Sequence, residues 1–240
     1  MIKEKILQAY EQLAESYDAL IDHKPHNAFY DRPTSLELIG DVTGNHILDA
    51  ACGSGKYAEI LMEKGGIVSG FDISPKMIKL ARERNRNNGK FSVHDLSEPF
   101  FHLNDHQFDI VLCALALHYI EDWNLTIQEF YRVLKPGGRL IISIEHPFFE
   151  YTYFQSQNYF NTEAVATEWS GFGAPVKMHS FRRSLQECIN PIVKNGFRII
   201  ELREPKPIAE FAITDPKHYQ ELMTFPAFMH MKAIKNPSYS

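Results

Sequence analysis

Three aspartates close three successive apolar runs: HILDA at 46–50, IVSGFD at 67–72 and KFSVHD at 90–95. The first run passes directly into CGSGKYA, with Gly53 and Gly55 one residue apart. Asp49 lies four positions before Gly53, at a strand exit, where it would repel a phosphate and attract an ammonium or sulfonium cation. Asp72 can accept hydrogen bonds from two ribose hydroxyls, each contributing roughly 1.5–3 kcal/mol before desolvation. Asp95 can accept from an exocyclic amine, with the N–H of Leu96 beside it. In that order the three acids match an amine, a ribose and an adenine.

Two other uses of the turn compete with this one. A P-loop is excluded, because Gly55-Lys56 is followed by Tyr57 and position 50 is Ala where the first glycine is required. A dinucleotide fingerprint is satisfied by G-S-G-K-Y-A with Asp72 closing the next strand, so an NAD(P)-dependent oxidoreductase stays as an alternative. Asp49 argues against it, since it occupies the place of a pyrophosphate. Each residue also has a plain structural use: Asp49 and Asp95 as caps, the glycines as turn formers.

These residues need a scaffold that brings strand ends together. Apolar residues from Ile6 to Ile21 recur at three and four, which predicts an amphipathic helix over the first twenty residues, and a short helix follows Pro33. Strands at 46–50, 67–72, 90–95, 108–113 and 139–145 alternate with helices at 56–64, 74–86 and 125–134. Ser74 and Pro75 mark one helix start. Continuous apolar strands alternating with helices predict a parallel sheet covered on both faces. A helix at 185–194 and strands at 196–204 and 225–234 complete the chain. The fold expected is a Rossmann-like α/β domain. Its seven-stranded sheet is mostly parallel, with a C-terminal antiparallel pair.

Residues 147–184 differ in texture, holding ten of the thirty aromatics, about twice an even share. Such flat apolar surface suits a ligand pocket. The single domain 1–240 thus divides into N-terminal helices (1–40), a cofactor-binding core (41–146), a substrate-cap insertion (147–184), and a last helix with antiparallel strands (185–240).

Net charge is −5 at 240 residues, which disfavours non-specific nucleic-acid binding. The three cysteines have neither disulfide nor zinc spacing. The longest apolar run, Ile110 to Leu117, falls far short of the ~20 residues of a membrane helix, and the charged N-terminus is no signal peptide. A cytoplasmic protein that takes a small-molecule substrate, as monomer or homodimer, without nucleic acid, membrane or metal, is expected.

The series HILDAACGSG, GFDIS, HDL, FDIVLCALALHYIEDW and YRVLKPGGRLIISIEHPF resembles the motifs of class I S-adenosylmethionine-dependent methyltransferases, specifically the bacterial small-molecule group called type 11. The resemblance covers residues 10–150, and the tail from Leu185 is similar to the group's last helix and strand pair. It implies S-adenosyl-L-methionine as cofactor and S-adenosyl-L-homocysteine as product. It places Asp49, Ala51, Gly53 and Gly55 at the methionine and ribose, Asp72, Ile73 and Met77 at the ribose side, Asp95 and Leu96 at the adenine, and Cys113, Ala114 and Leu115 at the methionine end, with Tyr17 closing over the cofactor. The methyl would pass to an O, N or C nucleophile of a small, largely apolar or aromatic molecule. A methyltransferase-like domain that binds cofactor without catalysis is the other reading.

Two histidines follow strands on the side expected to face the methyl, His118 and His146, and are the candidate catalytic groups because their pKa lies near working pH. Tyr10, Arg32, Tyr159, Phe160 and Trp169 are the candidate substrate contacts. The chain after the fourth strand lacks the Asn/Asp-Pro-Pro-aromatic motif of enzymes that methylate the exocyclic amines of bases.

Overall fold

The structure, a computed structural model, describes residues 2–236. Seven strands form its main sheet: β1 (His46–Ala50), β2 (Ile67–Asp72), β3 (Lys90–Val93), β4 (Phe108–Ala114), β5 (Leu134–Glu145), β8 (Phe197–Arg203) and β9 (Phe228–Lys235). Their order is β3-β2-β1-β4-β5-β9-β8. The first five are parallel, and β9 enters antiparallel between β5 and β8. The expected mostly parallel sheet with an antiparallel pair is therefore present.

Neighbouring residues on each central strand face opposite layers. Ile47, Ile110 and Ile141 pack with Leu61 of α3 (Lys56–Glu63) and Ile78 of α4 (Pro75–Arg84). Leu48, Val111 and Ile142 pack on the other face with Phe130 of α5 (Asn124–Val133) and Ile192 of α7 (Leu185–Lys194). Burial on both faces is the reason the strands read as unbroken apolar runs. After β3 the chain returns to the far side of β1 to form β4. The strand order reverses there, leaving a crevice at the carboxyl ends of β1 and β4.

The first helix, α1 (Ile2–Leu20), crosses those ends with Ile6, Ala9 and Leu13 buried. Polar contacts fasten it: Ser74 Oγ donates to Glu11 Oε1 at 2.5 Å, and Arg84 bonds Asp18 at 2.7 Å and Asp22 just beyond the helix at 3.0 Å. A π-helical turn, Asn27–Asp31, leads into α2 (Arg32–Ile39). Ser74 caps α4 as expected, accepting from the Met77 amide at 3.1 Å.

The structure departs from the sequence expectation in three places. β5 begins at Leu134 and not at 139, with a register irregularity between Phe108 and Ile110, while Lys135 binds Asp109 at 2.8 Å. The aromatic insertion is α6 (Pro147–Tyr153) followed by an antiparallel hairpin, β6 (Glu163–Trp169) and β7 (Val176–Arg182). Two short helices, α8 (Ala209–Thr214) and α9 (Pro216–Thr224), occupy a stretch for which no element was expected.

The two turn glycines have different reasons to be glycine. Both have positive φ, 52° at Gly53 and 79° at Gly55. A Cβ on Gly55 would lie 2.6 Å from Asn85 Nδ2 and 3.0 Å from Ala81 Cβ, so its bare backbone lets α3 approach α4. A Cβ on Gly53 would meet nothing nearer than the Tyr17 ring at 3.8 Å. Gly55→Ala is expected to destabilise the fold by about 1–3 kcal/mol through strain and overpacking, read as a lower urea midpoint at unchanged m-value. Gly53→Ala should cost less, because only its φ is unfavourable.

Candidate functional site

A cavity of about 1110 Å³ occupies the crevice at the carboxyl edge of the sheet. Strand ends supply its floor: Asp49 and Ala51 from β1, Asp72 and Ile73 from β2, Asp95 and Leu96 after β3, and Ala114 and Leu115 from β4. Gly53 lies in the same wall. Over it come Tyr10 and Tyr17 of α1, Arg32 of α2, His118 and Trp169. Most of the residues singled out from sequence are thus brought to one place.

Six of them are not. Gly55 serves the contact between α3 and α4, and Met77 is buried on α4. Cys113 points into the core layer shared with Val111, since alternation along β4 turns it from the strand's mouth. His146 caps α6, accepting from the Phe148 amide at 3.2 Å through Nδ1, while Nε2 lies 2.9 Å from Glu204. Both its nitrogens are engaged outside the cavity, so it is not a catalytic candidate. Tyr159 accepts the Leu185 amide at 2.8 Å and stacks on Phe148, and Phe160 is exposed on the outer surface. Neither contacts the cavity.

Asp49 is buried, and its Oδ2 has no hydrogen-bond partner. Burial, then the neighbouring Asp72, push its carboxyl up to about 7, while the Ala58 amide in the first turn of α3 partly offsets them. Burial also raises Asp72, to about 6, against the opposing pull of the Ser74, Gly53 and Ile73 amides. Ser74 N donates to its Oδ1 at 2.9 Å and Gly53 N to its Oδ2 at 3.0 Å. Asp95 behaves differently: burial would raise it, but the Lys3 ammonium and the Ser97 amide and hydroxyl hold it below the usual carboxylate range. Its Oδ1 accepts from Ser97 N and Oγ, each at 2.7 Å, so the capping role and the cavity position coexist.

The aromatic cover is continuous. Tyr10 donates to the Tyr119 hydroxyl at 2.8 Å, and its ring meets Tyr17, Tyr119 and Trp169 edge-on. Tyr17 in turn packs on Phe172 at 4.9 Å. Arg32 donates to the Ile21 carbonyl at 2.8 Å while its Nε has no partner. The ring of His118, buried and thereby lowered in pKa, leaves Nδ1 without a partner.

Asp31, Glu145, Phe149 and Phe228 line the cavity without having carried a sequence signal, and the backbone conformation of Ala51 and Leu115, both already candidates, carried none either. Asp31, on the π-helical turn, accepts from Tyr57 at 2.5 Å and lies 3.0 Å from His230 Nε2. Ala51 and Leu115 take left-handed φ values of 60° and 49° without being glycine, a costly conformation that clusters at functional sites. The Leu115 amide donates to the Ser143 carbonyl at 2.9 Å, which holds that strained loop. Glu145, Phe149 and Phe228 form a further wall beyond β4.

Against known proteins, residues 48–142 match the family Methyltransf_11, described as a methyltransferase domain. An uncharacterized protein of Haemophilus influenzae is 30% identical over 151 residues, covering 60% of this chain and 57% of that protein. A demethylmenaquinone methyltransferase of Lactococcus lactis is 30% identical over 154 residues, 60% of each chain. The alignments thus span less than two thirds of these curated relatives. Among solved structures, a putative S-adenosylmethionine dependent methyltransferase from Listeria monocytogenes superposes with TM-score 0.74 at 24% identity, over 86% of this chain and 96% of that one. The DhpI–SAH complex does so with TM-score 0.65 at 21% identity, over 98% of both. This chain has the fold of these solved methyltransferase structures, and its central residues 48–142 are similar to the type 11 methyltransferase domain.

Because the folded state keeps protons on Asp49 and Asp72 that the unfolded chain has released, their contribution to stability is full below pH ~4. It is lost as pH rises through about 6 and 7. Asp49→Asn should remove the Asp49 share. Urea denaturation is expected to show the variant gaining on the parent by at most about 1.4 kcal/mol per pH unit between pH 4 and 7, with little difference at pH 4.

Proposed function

We propose that the protein is an S-adenosylmethionine-dependent methyltransferase acting on a small molecule with a planar or largely apolar acceptor. The observation that carries this reading is the row Asp95, Asp72, Asp49 on adjacent strand ends, with Asp49 Oδ2 unpaired in a buried site. The cofactor fits that row. Its ammonium or sulfonium charge offers Asp49 the counter-charge it lacks, its ribose offers Asp72 two donors, and its adenine lies toward Asp95 and Leu96. The Leu96 peptide is already fixed by Thr126, whose hydroxyl donates to its carbonyl at 2.9 Å. Arg32 Nε is free to meet the carboxylate end. Gly53 leaves the turn bare where the ligand backbone passes, with Tyr17 above it.

The bound cofactor supplies an activated methyl group. The chain's own residues do the rest: they orient the acceptor, exclude water and accept its proton, with proximity alone accounting for up to ~7–11 kcal/mol of barrier reduction. The aromatic walls from α1 and the insertion favour a flat acceptor. His118 stands in that wall with a nitrogen free to orient it. The insertion acts as substrate cap through Trp169 and Phe172 rather than through Tyr159 and Phe160.

A thermal melt tests the cofactor. S-adenosylhomocysteine at 100 times its Kd adds ~2.7 kcal/mol and should raise the midpoint by roughly 5–10 °C. Asp72→Asn should remove most of that shift, and NAD should give none. A shift with NAD alone would overturn the reading in favour of an oxidoreductase. Binding of S-adenosylhomocysteine without methyl transfer to any acceptor in a broad panel would favour the non-catalytic domain.

A further inference from the structure

The cavity extends beyond the row of aspartates. Along the carboxyl edge the strand ends run Asp95, Asp72, Asp49, Leu115 and then Glu145 at the end of β5. Adjacent strands are ~4.8 Å apart, so Glu145 stands ~10 Å from the Asp49 strand, beyond the part a nucleoside occupies. On the reading of the cofactor given above, Glu145 faces the methyl acceptor.

Glu145 does not stand alone. The side chain of Glu150, buried on α6, hydrogen-bonds it, and Glu150 Oε1 is buried without a partner among the described residues. Burial and then the neighbouring Glu145 push the Glu150 carboxyl well above its usual range, so Glu150 is the member of the pair with a proton to donate. The groups that face this pair are His118 and Tyr119 from the turn after β4, and Arg182 and Arg183 from the end of β7. Cys188 of α7 lies behind Glu150. Phe228, opposite Glu145 on β9, is apolar.

None of these gives Glu145 a counter-cation inside the cavity. His118 is neutral through burial. Arg182 is committed to Glu163 and three backbone carbonyls. Arg183 lies over Trp123 and donates to the carbonyls of Ile120 and Glu121. A carboxylate in a cavity lined also by Tyr119, Phe149 and Phe228 is an environment that selects an organic cation, through charge and ring quadrupole together.

We propose that the methyl acceptor is an arylalkylamine, an aromatic ring carrying an aliphatic amine, bound as its ammonium against Glu145, and that Glu145 takes the proton that frees the nitrogen lone pair. Glu150 is a positioning residue that holds Glu145 by donating to it. The ammonium N–H proton passes to the Glu145 carboxylate. The nitrogen lone pair then forms the N–CH3 bond, the C–S electron pair returns to sulfur, and the product is a methylammonium ion beside a thioether. A neutral imidazole at His118 cannot hold the cation, which separates its role from that of Glu145.

Isothermal titration of the full chain saturated with S-adenosylhomocysteine tests this, with three probes of one framework: tryptamine, its alcohol tryptophol, and indole-3-propionate. At pH 7.5 tryptamine should bind at least tenfold more tightly than the other two. Glu145→Gln should lose that preference while binding S-adenosylhomocysteine as the parent does. Glu150→Leu, which removes the donor, should move the acid limb of tryptamine binding to higher pH, and Glu150→Gln, which keeps one, should leave it in place. The proposal is overturned if tryptophol or indole-3-propionate binds as well as tryptamine, if none binds, or if Glu145→Gln keeps the preference. Failure of the parent to bind S-adenosylhomocysteine would instead remove the cofactor reading beneath it.

Discussion

Much of this structure follows from one unfavourable contact: two carboxylates, Asp49 and Asp72, buried on adjacent strands without a cation between them. Burying like charges side by side raises both in pKa and makes a half-bonded oxygen expensive. The chain limits the cost with backbone amides. Gly53 and Ser74 donate to Asp72, and Ala58 to Asp49, each at the start of or just before a helix whose dipole favours negative charge. What the amides leave unsatisfied is one buried oxygen of Asp49, a residue of the cavity lining. The fold thus stores an electrostatic demand at the point where strand order reverses.

That demand explains why the site needs a cover. An open crevice would let water solvate both acids and weaken the discrimination between cations and other ligands. α1 supplies the cover, and its attachment is polar where it meets α4 and aromatic where it meets the insertion. Arg84 is nearly enclosed among Asp18, Asp22 and Glu59, so its pairs are less screened than exposed ones. On the other side Tyr10, Tyr17, Trp169 and Phe172 interlock, which makes the hairpin and the first helix parts of one wall. The aromatic excess of the insertion therefore serves packing on α1 as well as lining the cavity.

How far the sequence foretold this depended on whether the signal was local. Continuous apolar runs, the Ser74-Pro75 start and the acid near each strand end are properties of short segments, and most of the elements built from them formed close to where they were expected. Gly53 and Gly55 look alike in sequence, yet one faces the cavity and the other Asn85 of α4, a difference fixed by a residue thirty positions away. His146 seemed a base because it follows a strand. Its ring is instead consumed by capping α6 and by Glu204, from a distant loop. Glu145 was passed over for the converse reason: a carboxylate at a strand end acquires meaning only when Glu150 folds back against it. The π-helical turn with Asp31, and the left-handed Ala51 and Leu115, leave no trace in residue type, because tertiary contacts impose them.

The two ends of the cavity are consequently of different kinds. The Asp95–Asp72–Asp49 end is made by consecutive strand–turn–helix units, in which each acid is fixed by amides a few residues away, and such a site can change little without losing the sheet. The Glu145 end is made where the fifth strand meets an antiparallel neighbour and an inserted helix and hairpin. Its walls come from segments distant in sequence: Tyr119, Phe149, Trp169 and Phe228. Side chains there can vary without disturbing the parallel sheet. On the function proposed above, cofactor chemistry would belong to the part of the chain that the fold constrains most, and acceptor choice to the part it constrains least.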